Sequence, residues 1–218
     1  MLKAAIFDLD GTLIDSRQDL VDSVNALLEE VGERPLPGEL VASFVGEGAA
    51  RLVGRSLAAA RPGLEARLEF LLPKWFEHYG RRLLVNTVAY EGIEALLDGP
   101  PAARAVLTNK PGRFARQILL GLGLLDKFRV VVGGDEAPRK PDPEGLLRLC
   151  GQLGARPEEA ILIGDSRIDD QTGIAAGVPV CLVAWGIGDP TELAVARPAH
   201  RAQTPAELLA LLVRLAAT

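Results

Sequence analysis

Cysteine is nearly missing from this chain of 218 residues: only Cys150 and Cys181 occur, each among apolar neighbours. Two isolated cysteines give neither a disulfide framework nor the paired spacing of a zinc site. They suit a reducing compartment, so a cytoplasmic location is expected. An excess of positive charge is missing too. The net charge of −5 argues against a nucleic-acid partner, which would favour a basic face. Arginines do gather at Arg51, Arg55, Arg61, Arg67, Arg81 and Arg82, either as an anion-facing patch or as a solvated helix face. No long apolar run is left unbroken. Residues 171–188 carry no charge, but Gly173, Gly177, Pro179, Gly186 and Gly188 divide them into loop, strand and loop, so no membrane partner is expected. The first residues, M-L-K-A-A-I-F-D, show no charged segment followed by an apolar one, and no signal peptide is apparent.

What is present is an ordinary globular composition, 48% hydrophobic and 24% charged. Its length suits one large domain, or a core with a smaller one inserted. Ala4, Ala5, Ile6 and Phe7 read as a buried strand that stops at Asp8-Leu9-Asp10-Gly11-Thr12. Residues i and i+2 of a strand share a face, so Asp8 and Asp10 are expected side by side. Two close carboxylates repel unless a cation lies between them, and Mg²⁺ suits all-oxygen ligands. A strand ending in a polar turn explains the same residues.

Residues 16–85 show helical spacing without a convincing strand. Ser16 is placed to cap a helix with Leu20, Val21, Val24, Leu27, Leu28 and Val31 on its apolar face, closed by Gly32. Helical patterns resume over 39–44, 49–60 and 64–84, with Pro62-Gly63 and Pro73 expected to interrupt them. Beyond Ala89 the pattern alternates: helices over 91–97, 114–122, 143–153, 168–176 and 205–215, and strands over 103–107, 129–132, 160–163 and 180–184. This predicts an α/β fold with a parallel sheet covered on both faces. It divides into a core of residues 1–15 and 88–218 and an inserted all-helical domain of residues 16–87. Sites in such sheets lie beyond the carboxyl ends of the strands, where Asp8, Asp10, Thr108, Asn109 and Asp165 all fall. Thr108-Asn109 reads as an anion site or as a plain helix cap. Lys140, held among Pro138, Pro141 and Pro143, reads as a fixed point charge for phosphate or as a solvated loop lysine.

F-D-L-D-G-T-L-I-D-S, T-N-K-P, G-G-D-E-A-P-R-K-P-D-P and G-D-S-R-I-D come in this order along the chain. They resemble the four motifs of the haloacid dehalogenase superfamily, with its Rossmann-like core and inserted cap, and in particular its phosphoglycolate phosphatase branch. The resemblance implies an Mg²⁺-dependent phosphatase acting on a small phosphorylated metabolite, with Asp8 as nucleophile and Asp10 as general acid/base. It implies that Lys140, Thr108 and Asn109, with Gly11 and Thr12 of the first motif, hold the phosphoryl group. It places the metal on Asp8, the Asp10 carbonyl and Asp165, with Asp169 behind them. Asp170, at a place usually apolar in the family, reads as an exposed neighbour, and which of Asp169 and Asp170 supports the metal is open. Val45-Gly46-Glu47-Gly48 and Arg51 resemble a cap loop of that branch, making Arg51 the candidate for a substrate carboxylate. Glu91, His200 and Glu47 depart from common family residues, the last bearing on substrate. Leu20 stands where related phosphosugar mutases carry a His, which counts against that activity, and a non-catalytic phosphate-binding protein would usually have lost one of the four motif residues. A monomer and a homodimer are both open.

Overall fold

The structure, a computed structural model, describes residues 1–217. In chain order its elements are β1 (Ala4–Phe7), β2 (Ile14–Asp15), α1 (Arg17–Glu30), α2 (Gly38–Ala42), α3 (Ala49–Ala60), α4 (Leu68–Gly80), β3 (Val88–Ala89), α5 (Ile93–Asp98), β4 (Ala103–Leu107), α6 (Gly112–Gly121), β5 (Val130–Val132), α7 (Glu144–Gln152), β6 (Ala160–Gly164), α8 (Arg167–Ala176), β7 (Val180–Val183), α9 (Pro190–Val195), β8 (His200–Ala202) and α10 (Pro205–Ala217).

β1 is apolar from end to end because both of its faces are covered. Ala5 and Phe7 join one core cluster with Val106, Ile161 and Ile163, whereas Ala4 and Ile6 join a second with Ala105, Leu107, Leu162 and Leu149. This is the strand alternation of side chains carried through to two separate cores. Six strands form one parallel sheet in the order β5-β4-β1-β6-β7-β8. β1 is central, with Phe7 in register with Val106 of β4 and Ile163 of β6. The chain builds outward through β4 and β5, then crosses to the far side of β1 with β6. That reversal of strand order opens a crevice at the carboxyl ends of β4, β1 and β6.

β2 and β3 form a separate two-residue antiparallel ribbon, Ile14 opposite Ala89 and Asp15 opposite Val88. Through it the chain enters and leaves the helical segment α1 to α4. α1 packs on α2, α3 and α4, and Leu27, Leu28, Leu57, Leu71 and Trp75 are buried. Pro73 does not interrupt the helix there: it lies inside α4. One missing N–H removes a single helical hydrogen bond, and burial of Leu71, Trp75 and Tyr79 along the same helix holds it. The helix stops at Gly80 rather than running on to residue 84. The Pro62-Gly63 break does form, Gly63 turning at φ +91° ahead of a 3₁₀ turn at Leu64–Arg67. Cys150 and Cys181 are both buried and free, in cores on opposite faces of the sheet. No helix among the described residues is long and apolar enough to cross a membrane.

Candidate active site

Asp8 follows β1, Thr108 follows β4 and Asp165 follows β6, so three neighbouring strands deliver them to one crevice. Lys140 arrives from the loop after β5 and is only 5% exposed. Its ammonium lies 2.8 Å from Asp8 Oδ1 and 2.6 Å from Asp169 Oδ1. The surface-loop alternative for this lysine is therefore gone. Its loop is pinned by Asn109: the amide oxygen accepts from the Lys140 N–H at 2.8 Å, and the amide nitrogen donates to the carbonyls of Lys140 and Gly46, each at 3.1 Å. The Asn109 side chain is thus spent on backbone groups rather than left for a ligand. The helix-cap alternative for Thr108 also fails, because α6 starts four residues later, at Gly112. The first N–H of that helix is satisfied by Asp135 at 2.7 Å. The Thr108 hydroxyl accepts from the Lys110 N–H at 3.2 Å and stays at the crevice.

Asp165 is wrapped by backbone. One carboxylate oxygen accepts from the N–H groups of Ile187 and Gly188, at 2.7 and 2.9 Å, and the Thr12 hydroxyl donates to the other at 3.4 Å. Gly11, at φ +83°, lies so close that an added Cβ would stand 2.0 Å from the Asp165 carboxylate, and only glycine tolerates both constraints. Gly11 and Thr12 therefore shape the seat of Asp165. The Gly186-Ile187-Gly188 loop after β7, to which the sequence reading gives no role in the site, shares this task. Its signal was available: a G-x-G at the carboxyl end of a strand.

Oxygens of Asp8, Asp165 and Asp169 all lie within 4.8 Å of one another, and all three residues are buried. Burial, with the neighbouring Asp8 and Asp169 charges, pushes the Asp165 carboxyl up to about 8. Burial raises Asp8 to about 6 against the opposing pull of Lys140. The one ammonium paired with this cluster is Lys140, against Asp8 and Asp169. Three ionised carboxylates and one ammonium leave two negative charges, which one divalent cation would cancel, and an all-oxygen donor set suits a hard ion. Asp169, the third residue of α8, is fixed by a capping box in which it accepts from the Ser166 N–H and hydroxyl at 3.2 and 2.6 Å. Asp170 is not an exposed neighbour. It is 5% exposed, and one of its oxygens has no hydrogen-bond partner among the described residues, because α8 packs against β6, β7 and α7.

The Asp10 carboxylate stands apart from this cluster. The Ser16 hydroxyl donates to it at 2.5 Å, in place of capping α1, and Lys110 Nζ lies 2.8 Å away. Lys110 also donates to the Tyr79 hydroxyl of α4, and its ammonium sits 4.6 Å from that ring's centre. Burial keeps Tyr79 a neutral phenol, its pKa pushed up to about 12. Sequence reasoning assigned no role to Lys110 or Tyr79, since the partners lie 100 and 31 residues apart. It also missed Asp19, fully buried, which accepts from the N–H groups of Asn86 and Thr87 and from both their side chains at 2.7–3.0 Å. Arg51 is not brought to the crevice. Its side chain is 67% exposed on α3, beside Glu47, which is paired with Arg55.

A cavity of about 60 Å³ lies between these groups and the helical segment, with Leu20, Leu52, Trp75 and Tyr79 on its far wall. The arrangement offers a buried carboxylate beside an ammonium, a second carboxylate across the crevice and an acidic cluster, all at the switch point of a parallel sheet. Residues 5–183 match the model of the haloacid dehalogenase-like hydrolase family. A phosphoglycolate phosphatase of Rhodospirillum rubrum is 43% identical over 85% of this chain and 81% of its own length. Another, from Nitrosospira multiformis, is 38% identical over 86% of each. A Haemophilus somnus structure, described as a predicted phosphoglycolate phosphatase, superposes with a TM-score of 0.89 at 28% identity, covering 96% of this chain and 97% of that one. Strand order, crevice and family match agree: the chain belongs to the haloacid dehalogenase-like hydrolases.

Proposed function

We propose that the protein is an Mg²⁺-dependent phosphatase of small phosphomonoesters, with 2-phosphoglycolate as its main substrate, working through a phosphorylated Asp8. The observation that carries this reading is the contact of Lys140 with both Asp8 and Asp169 beside Asp165. An ammonium there holds a buried carboxylate in place while leaving its other oxygen to attack. Asp8, the Asp10 carbonyl and Asp165 would hold the metal, with Asp169 fixing Lys140 behind them. When bound, the ion would offset the repulsion between carboxylate and phosphate.

Asp8 forms a bond to phosphorus as the ester P–O bond breaks, and Asp10 gives the departing oxygen its proton. Water then attacks the same phosphorus, its proton passes to Asp10, and the bond to Asp8 breaks to release phosphate. Lys140 and the Thr108 hydroxyl stabilise charge on the phosphoryl oxygens. The helices of residues 16–87 act as a cap that excludes water from the first step. Leu20 lines the cavity, and an aliphatic side chain there cannot relay a proton as a mutase would need.

The relatives named for phosphoglycolate support the substrate assignment, although fold alone does not fix it. The test is phosphate release from 2-phosphoglycolate, sugar phosphates, nucleotides and pyrophosphate, with Mg²⁺ and with EDTA. Metal-dependent release with the highest kcat/KM on 2-phosphoglycolate is expected. A different preferred ester would overturn the substrate, and no release from any would overturn the phosphatase reading.

A further inference from the structure

We infer that Lys110, with the Tyr79 hydroxyl beside it, recognises an anionic group on the leaving half of the substrate, and that the class selected carries a carboxylate one carbon from the ester oxygen. This deepens the phosphatase reading above and rests on it.

Among the described residues Lys110 is the one cation whose side chain lines the cavity, and it is 6% exposed. Lys140 is bracketed by the Asp8 and Asp169 carboxylates at the phosphoryl end of the site, and the Arg51 side chain is 67% exposed. A substrate carboxylate drawn into this cavity, under a wall of Leu20, Leu52 and Trp75, would lose its hydration and needs a charged partner. An ammonium has three donors. Among the described residues two acceptors meet it, Asp10 Oδ1 at 2.8 Å and the Tyr79 hydroxyl. The third donor remains. Tyr79 accepts from Lys110 and keeps its own proton to give. Trp75, stacked on Tyr79 with centroids 5.0 Å apart, fixes that ring against the cavity. A spare ammonium donor beside a phenol with a proton to give is the composition of an anion site.

The distances limit where that anion can be. Asp10 must meet the ester oxygen it protonates, and Lys110 already meets Asp10. Contacts of about 2.8 Å from Asp10 to the ester oxygen and from Lys110 to the second anion close a small circuit. A carboxylate one methylene from the ester oxygen completes it, and a longer chain carries the charge past it. The cavity of about 60 Å³ holds roughly four to six waters, which suits a two-carbon group.

The test compares kcat/KM on 2-phosphoglycolate and on ethyl phosphate, the same two-carbon ester without the carboxylate. It uses the native protein, Lys110→Met and Tyr79→Phe, each with Mg²⁺ and with circular dichroism to verify the fold. Native protein should prefer 2-phosphoglycolate by about 100-fold. Lys110→Met should bring the ratio close to one, and Tyr79→Phe should lower it several-fold, chiefly through KM. An equal loss on both substrates in Lys110→Met would overturn the assignment, leaving Lys110 only to position Asp10. If Lys110→Met does not fold, an unchanged ratio in Tyr79→Phe overturns it instead. Failure of the native protein to release phosphate from either ester would defeat the phosphatase reading itself.

Discussion

Lys140 shows how much one side chain carries in this site. It is buried between Asp8 and Asp169, and removing it leaves two uncompensated carboxylates. Lys140→Met should lower kcat on the preferred phosphomonoester by about a thousandfold and cost about 3 kcal/mol of stability. Steady-state kinetics and urea unfolding check the two effects separately, and near-native kcat would remove Lys140 from the reaction. Asp8, Asp10, Lys140 and Asp165 were legible in the sequence because each stands where an apolar strand ends or where prolines fix a loop. Lys110 and Asp19 were not, since their partners lie far away in the chain and nothing local marks them. Arg51 is the converse case. A cap loop resembling a family pattern put it near the substrate, while in the structure its side chain lies exposed beside Glu47.

At the scale of elements, the two strands joining the helical segment to the sheet are only two residues each, too short to leave a pattern in the sequence. Asp19 supplies what such a ribbon lacks. From the first turn of α1 it gathers the N–H groups and side chains of Asn86 and Thr87 just ahead of β3, tying the outgoing linker to the incoming one. Asp19→Ala leaves these donors unpaired in a buried place, so a loss of about 2–4 kcal/mol is expected in urea unfolding. Limited proteolysis should then cut near residues 82–88 faster than in the native protein. Unchanged stability and an unchanged cleavage rate would show that the ribbon holds without the clamp. Apolar strands such as β4 and β6 were readable, β4 to the residue and β6 to within one, whereas β8 and α9 were not found. β8 is three residues long and begins with His200, and α9 has no buried residue to set a period.

For the whole molecule, the acidic cluster makes stability depend on pH and on metal together. Without a cation the Asp165 carboxyl stands at about 8 and Asp8 at about 6, raised mainly by burial. The folded chain then holds protons that the unfolded chain has released above about pH 4. The favourable contribution is complete below that value and fades as pH rises through 6 and then 8. With EDTA, Tm should therefore fall between pH 5 and pH 8.5, by an amount on the order of a few kcal/mol in stability. Mg²⁺ should recover more of it at pH 8.5 than at pH 5. Equal Mg²⁺ shifts in Tm at both pH values would contradict a carboxylate-bound ion at this cluster.

The phosphorylated Asp8 is the claim on which the functional account turns. The measurement is rapid acid quenching of the protein during turnover of 2-phosphoglycolate with Mg²⁺, followed by mass spectrometry of the peptide that spans Asp8. The account predicts one added phosphoryl group on that peptide, lost in EDTA and absent from an Asp8→Asn variant that is folded and inactive. Steady phosphate release by a folded Asp8→Asn protein, with no phosphorylated peptide in either form, would contradict it.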